Sequence, residues 1–251
     1  MLILLTRTAR IVYNYDKMTV KGGVLYLKIK AKLIPAVIAV FSLFSCTVAP
    51  ADPSRDLISG MEKRYGDKFT ITENAGGGTG LSEHLAVYVS SEKFPDARIY
   101  AVHGNFDGKT EDRDNYMAYY LKKDAEDYLH GLAEAVYGEC RLVCRPDEKT
   151  VLPADITIDS SAADMLRSTK VYCSVYLPPE QDISDKEQKL DRLFDSLKAD
   201  SIRCYLYVAY LSDKDKYSSI SDEITMDREF VKTDVRLGMD DSFNITEKQW
   251  G

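Results

Sequence analysis

Histidine is scarce in this chain: three residues in 251, His84, His103 and His130. None belongs to an HExxH pair, no serine sits in GxSxG, and no Cys–His signature is present. Each histidine therefore reads as a surface or half-buried side chain rather than a catalytic one. His84 and His103 fall at the ends of two strand-like runs, where a hairpin could bring them together. CxxC spacing is also missing, which removes the usual zinc pattern. Acidic residues are plentiful, but no carboxylate pair stands apart from the rest, and sequence alone assigns no catalytic residue, cofactor or metal. Glycine is densest at Asn74–Gly80 (NAGGGTG), where a phosphate-cradling loop would need a following lysine and helix. Another strand-like run follows instead, so a hairpin loop is expected. The acids of Asn105–Asp114 (NFDGKTEDRD) lack calcium-loop spacing and read as a solvated loop ending in a helix cap. No apolar run reaches the roughly 20 residues that a membrane-spanning helix needs.

One shorter apolar run carries information. Lys28, Lys30 and Lys32 precede Leu33–Phe44, which is apolar apart from Ser42, and a small residue then stands directly before Cys46. A basic n-region, a short apolar h-region and a small-residue processing site are the parts of an export signal. The processing site Leu43-Phe44-Ser45-Cys46 resembles the lipobox of bacterial lipoproteins: Leu43, Ser45 and Cys46 match, and Phe44 is bulkier than the usual residue at its position. The resemblance covers about the first fifth of the chain. It implies acylation of the Cys46 thiol (palmitate-type chains), cleavage after Ser45, and a protein held by lipid on the extracytoplasmic face of the cell membrane. Residues 1–45 then form the signal peptide and residues 46–53 a lipidated tether. Met18 opens a sensible n-region of its own, MTVKGGVLYLKIKAK, and marks an alternative start.

Charge sharpens this reading. Residues 1–45 hold seven of the 33 basic residues and one of the 40 acidic ones. The remainder keeps 26 basic against 39 acidic residues, a formal net of −13. Such a domain is a poor partner for nucleic acid, whose phosphates dominate affinity. Anionic headgroups would repel it too, which leaves the lipid on Cys46 as its hold on the membrane.

Downstream of the tether the periodicities predict an α+β fold: an antiparallel or mixed sheet with two main helices packed on it, over residues 54–251 as a single domain. A boundary near residues 146–153 is the alternative. Ser54–Tyr65 reads as a helix closed by Gly66, with Leu57, Met61 and Tyr65 in line. Lys68–Glu73, with Phe69 and Ile71 on one face, His84–Ser90 and Arg98–His103 read as an antiparallel meander. A long helix is expected over Asn115–Tyr137, with the stripe Met117, Leu121, Ala125, Tyr128, Leu132 and Val136 inward. Gly131 within it suggests a close approach or a kink. Glu139–Arg145 and Ile156–Ile158 look strand-like, and a short helix is expected near Ser161.

The clearest unit runs from Lys170 to Leu211: a strand (KVYCSVYL), a helix whose apolar side is Leu190, Leu193, Phe194 and Leu197, and a second strand (SIRCYLYVAYL). Ser184 and Glu187 are spaced as a capping box. The two strands fit a parallel crossover or an antiparallel pair. The tail after Ser212 is weakly patterned, with a final strand expected at Phe243–Thr246.

Four cysteines remain beyond Cys46. Cys140 and Cys144 lie too far apart along one strand for a bridge, about 13 Å. Cys173 and Cys204 stand on the aliphatic sides of their strands. Buried free thiols are expected, with Cys173 and Cys204 the pair to examine if a disulfide exists. Tyrosine is the unusual enrichment, 17 residues. Tyr172 and Tyr176 alternate with Cys173 and Val175, and Tyr205 and Tyr207 with Cys204, Leu206 and Val208. If the strands adjoin, the four tyrosines form one patch. That patch is either the core edge beneath a helix or an aromatic surface for a glycan, a peptide or an envelope protein. The functional expectation is a lipid-anchored binding or accessory protein of the cell envelope; a membrane-tethered enzyme is the alternative.

Overall fold

The computed structural model describes residues 52–77, 85–221 and 226–251. The export signal, Cys46, Met18 and His84 lie outside the described residues.

Among the described residues nine strands form two sheets. In the first, β1 (Phe69–Gly77), β2 (Leu85–Ser91), β3 (Ile99–Phe106) and β4 (Lys109–Asp114) follow one another as an antiparallel meander. The first three strands stand where alternation places them, except that β1 runs four residues further, to Gly77, into the glycine-rich stretch expected as loop. The fourth occupies what the sequence suggested was a solvated loop. Its cause is the pair Asp107-Gly108, both at positive φ (53° and 83°), a hairpin turn whose twist suits two antiparallel strands. Asn105 Oδ1 accepts the Gly108 N–H at 2.9 Å and fixes the turn. Ile71 shares its side of β1 with buried Phe69 yet is exposed; the register slips just beyond it, between Ile71 and Glu73.

The second sheet takes the order β5 (Arg141–Pro146), β6 (Lys170–Leu177), β7 (Arg203–Leu211), β8 (Val231–Met239) and β9 (Ile245–Trp250). Neighbours are antiparallel except β6 and β7, which run parallel. A parallel pair needs a crossover, and the predicted helix of the Lys170–Leu211 unit supplies it. β8 lies within the tail that read as weakly patterned, and β9 begins two residues later than expected and runs on to Trp250. Ile156–Ile158 is not a strand: Ile156 is buried in a turn region and Ile158 is exposed.

Six α-helices complete the described fold: α1 (Pro53–Tyr65), α2 (Tyr116–Tyr120), α3 (Lys122–Tyr137), α4 (Ala162–Ser168), α5 (Lys186–Ala199) and α6 (Lys214–Ser218). α1 starts under an Asp52 cap and ends at Gly66, whose φ of 65° suits glycine. The long helix of the sequence is two helices, broken at Leu121 rather than kinked at Gly131. Gly131 is exposed, and a β-carbon there would touch nothing. The buried stripe of α3 is Ala125, Leu129, Ala133 and Tyr137. Tyr128, Leu132 and Val136 flank it: the buried row keeps a four-residue step from Met117 and Leu121 across the break to Ala125, Leu129, Ala133 and Tyr137, so the expected stripe departs from it by one residue after Ala125. The Ser184 capping box does not form. Ser184 turns its hydroxyl and its N–H back to Asp182, and Asp185 precedes the helix without a side-chain cap. A capping box forms instead at α4, between Ser161 and Asp164.

A single apolar cluster joins the two sheets. It takes Leu57 and Met61 from α1, Val87, Val89 and Ile99 from the first sheet, and Val175, Val208 and Val235 from the second. Helices α3, α4 and α5 pack into this cluster from one side of the second sheet, through Leu129, Leu166, Leu190, Leu193 and Leu197 among others. The opposite side of that sheet faces away from all three. This asymmetry positions the candidate site.

Candidate tyrosine-lined site on the second sheet

Alternation along each strand of the second sheet sends every other side chain to the helix-covered face. Cys144, Cys173, Leu206 and Leu237 stand in register across four strands on that face, and all are buried. The intervening residues form the outer face in matching rows. One row reads Arg145, Tyr172, Tyr205, Gly238, Glu247; the next reads Val143, Ser174, Tyr207, Arg236, Gln249. The four sequence-selected tyrosines therefore do share a face, because β6 and β7 are adjacent and their tyrosines have the same phase. Parallel pairing sets Tyr172 directly beside Tyr205.

The two ends of this face differ. Tyr176 is buried, and Tyr207 meets it edge-on at 6.1 Å and 74°. Tyr217 of α6 and Ile220 cover this end, packing with Val143, Tyr176, Ala209 and Leu211 in a second apolar cluster. Burial and the buried Asp234 carboxylate push the Tyr207 hydroxyl up to about 12. Asp234 is itself held by Arg228 Nη1 at 2.9 Å. At the other end Tyr172 and Tyr205 are 46% and 42% exposed, with rings stacked at 4.9 Å and 18°. Lys170 places its ammonium 3.7 Å from the Tyr205 ring centre and donates to the Met239 carbonyl. This contact holds the ring in place by cation–π attraction. The core-edge reading thus applies to Tyr176 and in part to Tyr207, and not to Tyr172 and Tyr205.

Two hollows flank the Tyr172–Tyr176 ridge. One, of about 560 Å³, lies toward β5 and is lined by Arg145, Asp147, Lys149, Tyr172, Ser174 and Tyr176. The other, of about 400 Å³, reaches across Ser174 to Tyr205, Tyr207, Met226, Arg236 and Glu247. Ser174 is the small residue among four tyrosines, which leaves the floor low at that point. Gly238 does the same beside Tyr205; a β-carbon there would lie 2.9 Å from Thr246 Oγ1. Arg236 and Gly238 were missed from sequence because β8 was missed, and Glu247 because the expected last strand stopped at Thr246. The signal was present: in VKTDVRLGM, Thr233, Val235, Leu237 and Met239 alternate with Asp234, Arg236 and Gly238.

The two described histidines, His103 and His130, do other work. His103 Nδ1 lies 2.7 Å from Asp112 Oδ1, its cross-strand partner on β4. His130 Nε2 bonds the Cys140 carbonyl at 3.1 Å, and Glu126, four residues earlier on α3, accepts the Cys144 N–H at 2.9 Å. A hollow of about 290 Å³ beside them also takes in Lys123, Asp127 and Arg141. It gathers a histidine and acids, yet Glu126 and His130 are bonded to backbone and Lys123 is paired with Asp127. Burial, with Glu134 and Glu139 nearby, pushes the Cys140 thiol up to about 11, so it is protonated at neutral pH. An activated nucleophile would be shifted the other way. Among the described residues no group of three or more histidine, cysteine, aspartate or glutamate side chains could hold a metal ion. No described helix is long and apolar enough to cross a membrane.

No family model matches the chain, and no curated protein matches it. The chain is similar to a solved DUF5037 family protein from Ruminococcus gnavus ATCC 29149, at 15% identity over 80% of this chain and 90% of that one, with a TM-score of 0.33.

Proposed function

We propose that this chain is a lipid-anchored binding protein of the bacterial cell envelope, held at the membrane through Cys46 and presenting the outer face of its second sheet to a glycan or peptide. The observation that carries the binding reading is the stacked, exposed Tyr172–Tyr205 pair on a sheet face that α3, α4 and α5 leave open. Two exposed aromatic rings, bordered by hollows that contain Ser174, Arg145 and Arg236, combine a flat apolar platform with hydrogen-bond donors. That combination suits a sugar ring or an extended peptide side chain. The basic-apolar-Cys layout of Lys28–Cys46 supports the anchor.

The two halves of the proposal are tested separately. For binding, the full-length chain is titrated with soluble cell-wall glycan fragments and with unstructured peptides, following tyrosine fluorescence. Tyr172→Ala and Tyr205→Ala should each weaken the ligand found by about tenfold or more, with the urea midpoint nearly unchanged because both rings are half exposed. Undiminished affinity in both variants would remove the tyrosine face from the function. For the anchor, Cys46→Ala should abolish incorporation of labelled fatty acid and release the protein from the membrane fraction. A variant that still takes up label and stays bound would overturn the lipoprotein reading.

A further inference from the structure

We infer that Cys144 and Cys173 form a cross-strand disulfide when the chain folds under oxidising conditions, and that Cys140 and Cys204 stay reduced. The four thiols are buried and free in this structure. Only one pair is directly opposed: Cys144 on β5 and Cys173 on β6 are register partners, on the face covered by the helices. The hydrogen bonding defines the kind of pair. Cys144 donates its N–H to Glu126 of α3, away from β6. In an antiparallel ladder, a residue whose N–H points away from the neighbouring strand occupies a non-hydrogen-bonded position. There Cα atoms approach to about 4.5 Å and the side chains come closest. A disulfide spans Cα separations of about 4.4–6.8 Å, so this pair falls within reach with little backbone movement.

The rival pairs fail on the same geometry. Cys204 faces Val171, and Cys173 faces Leu206, so Cys173 and Cys204 are offset by two residues along parallel strands. A diagonal of that kind is about 7–8 Å, beyond the roughly 7 Å at which bridging stops. Cys140 lies before β5 and four residues from Cys144.

The bond belongs to folding rather than to the finished fold. Burial, with Glu126 next in effect, pushes the Cys144 thiol up to about 12, and the Cys173 thiol is raised well above its ordinary value, so neither is a ready nucleophile once packed. While the strands are assembling, the Cys144 thiolate can attack an external disulfide, RSSR, and expel one RS⁻. The Cys173 thiolate then attacks the Cys144 sulfur of the mixed disulfide and expels the second. Two protein thiols are oxidised to one disulfide and RSSR is reduced to two RSH. The bridge would lie on the opposite face, between the Arg145–Tyr172 and Val143–Ser174 pairs, and fasten β5, which carries one wall of the larger hollow, to β6.

The test refolds the full-length chain from urea in a buffer of oxidised and reduced glutathione, alkylates free thiols under denaturing conditions, and maps tryptic peptides by mass spectrometry. Cleavage after Arg141, Lys170 and Arg203 puts the four cysteines on four different peptides. The expected result is a Cys144–Cys173 linked pair, two hydrogens lighter, with Cys140 and Cys204 alkylated, and an upward shift of the urea midpoint relative to the reduced chain. Alkylation of all five cysteines, a Cys173–Cys204 link or any bridge to Cys46 would overturn the inference. The readout uses the natural sequence, so no variant has to fold.

Discussion

Two side chains of α3 determine how the second sheet ends. β5 is an edge strand, and an edge leaves unpaired N–H and C=O groups that could recruit another chain. Glu126 takes the Cys144 N–H and His130 bonds the Cys140 carbonyl, one helical turn apart on the same side of α3. A histidine that could pass for a catalytic candidate is thus an edge seal. Asp114 works in a comparable way between α1 and the first sheet. Its buried carboxylate meets Arg64 at 3.2 Å, accepts the Tyr65 hydroxyl at 3.0 Å, and accepts the Tyr116 N–H at 2.9 Å. Gly131 has no such role. It is an exposed glycine in a helix interior, and a β-carbon there would meet nothing. Gly131→Ala should therefore stabilise the chain by about 1 kcal/mol, seen as a higher urea midpoint with an unchanged slope. A loss of stability would mean that the position carries a contact absent from this structure.

Among the elements, α5 and α4 give opposite lessons about sequence signals. α5 has the apolar stripe that the sequence shows, and Leu190, Leu193 and Leu197 are fully or almost fully buried. Phe194 is only partly buried at the margin. Leu193→Ala should cost about 2–5 kcal/mol, and Phe194→Ala clearly less, because the cost follows the buried volume removed. Urea unfolding of both variants checks the ranking; equal losses would mean that the helix sits rotated. The caps invert the sequence expectation. Ser184→Ala should be close to neutral, since its hydroxyl serves Asp182 rather than a helix N–H. Ser161→Ala should cost about 1 kcal/mol, since Ser161 Oγ accepts the Asp164 N–H and also donates to the Asp164 carboxylate at 2.6 Å. That hydroxyl contact holds the Asp164 carboxyl below the ordinary carboxylate value. A depressed carboxyl contributes stability that is fully present above its unfolded value and disappears as pH falls through its folded one. The gap in urea midpoint between the natural chain and Ser161→Ala should accordingly shrink as the pH is taken from 7 to below about 4. A gap that stays constant would assign the cap to the neutral hydrogen bond alone.

At the scale of the whole molecule, one core serves two sheets and the helices take one side of the second. The open outer face, and with it the candidate site, follows from that arrangement. The sequence alone determined a good deal. Alternation located β2, β3, β6 and β7, and four-residue spacing located α1 and α5, because burial on one side of an element leaves a period in the chain. The α+β class follows from those elements, and so does the phase that puts tyrosines opposite cysteines. The Asp107-Gly108 turn and the alternation of β8 were legible too, but the charged outward residues of Lys109–Asp114 and Val231–Met239 masked them as loop. Other features had no local signal. Whether β6 and β7 run parallel depends on where the crossover helix finds its partner. Which row of α3 is buried beyond Ala125 depends on how the helix packs against β5 and α5. The pairing of Cys144 with Cys173 depends on register across a connection of more than 20 residues. Whether a helix covers Tyr172 and Tyr205 was undecidable from their own strands, since an aromatic stripe looks the same under a helix and under solvent. Only packing of α3, α4 and α5 against the cysteine face settled it: the apolar stripes of three helices are buried most fully on the face richest in valine, leucine and cysteine, and the tyrosines are left outside.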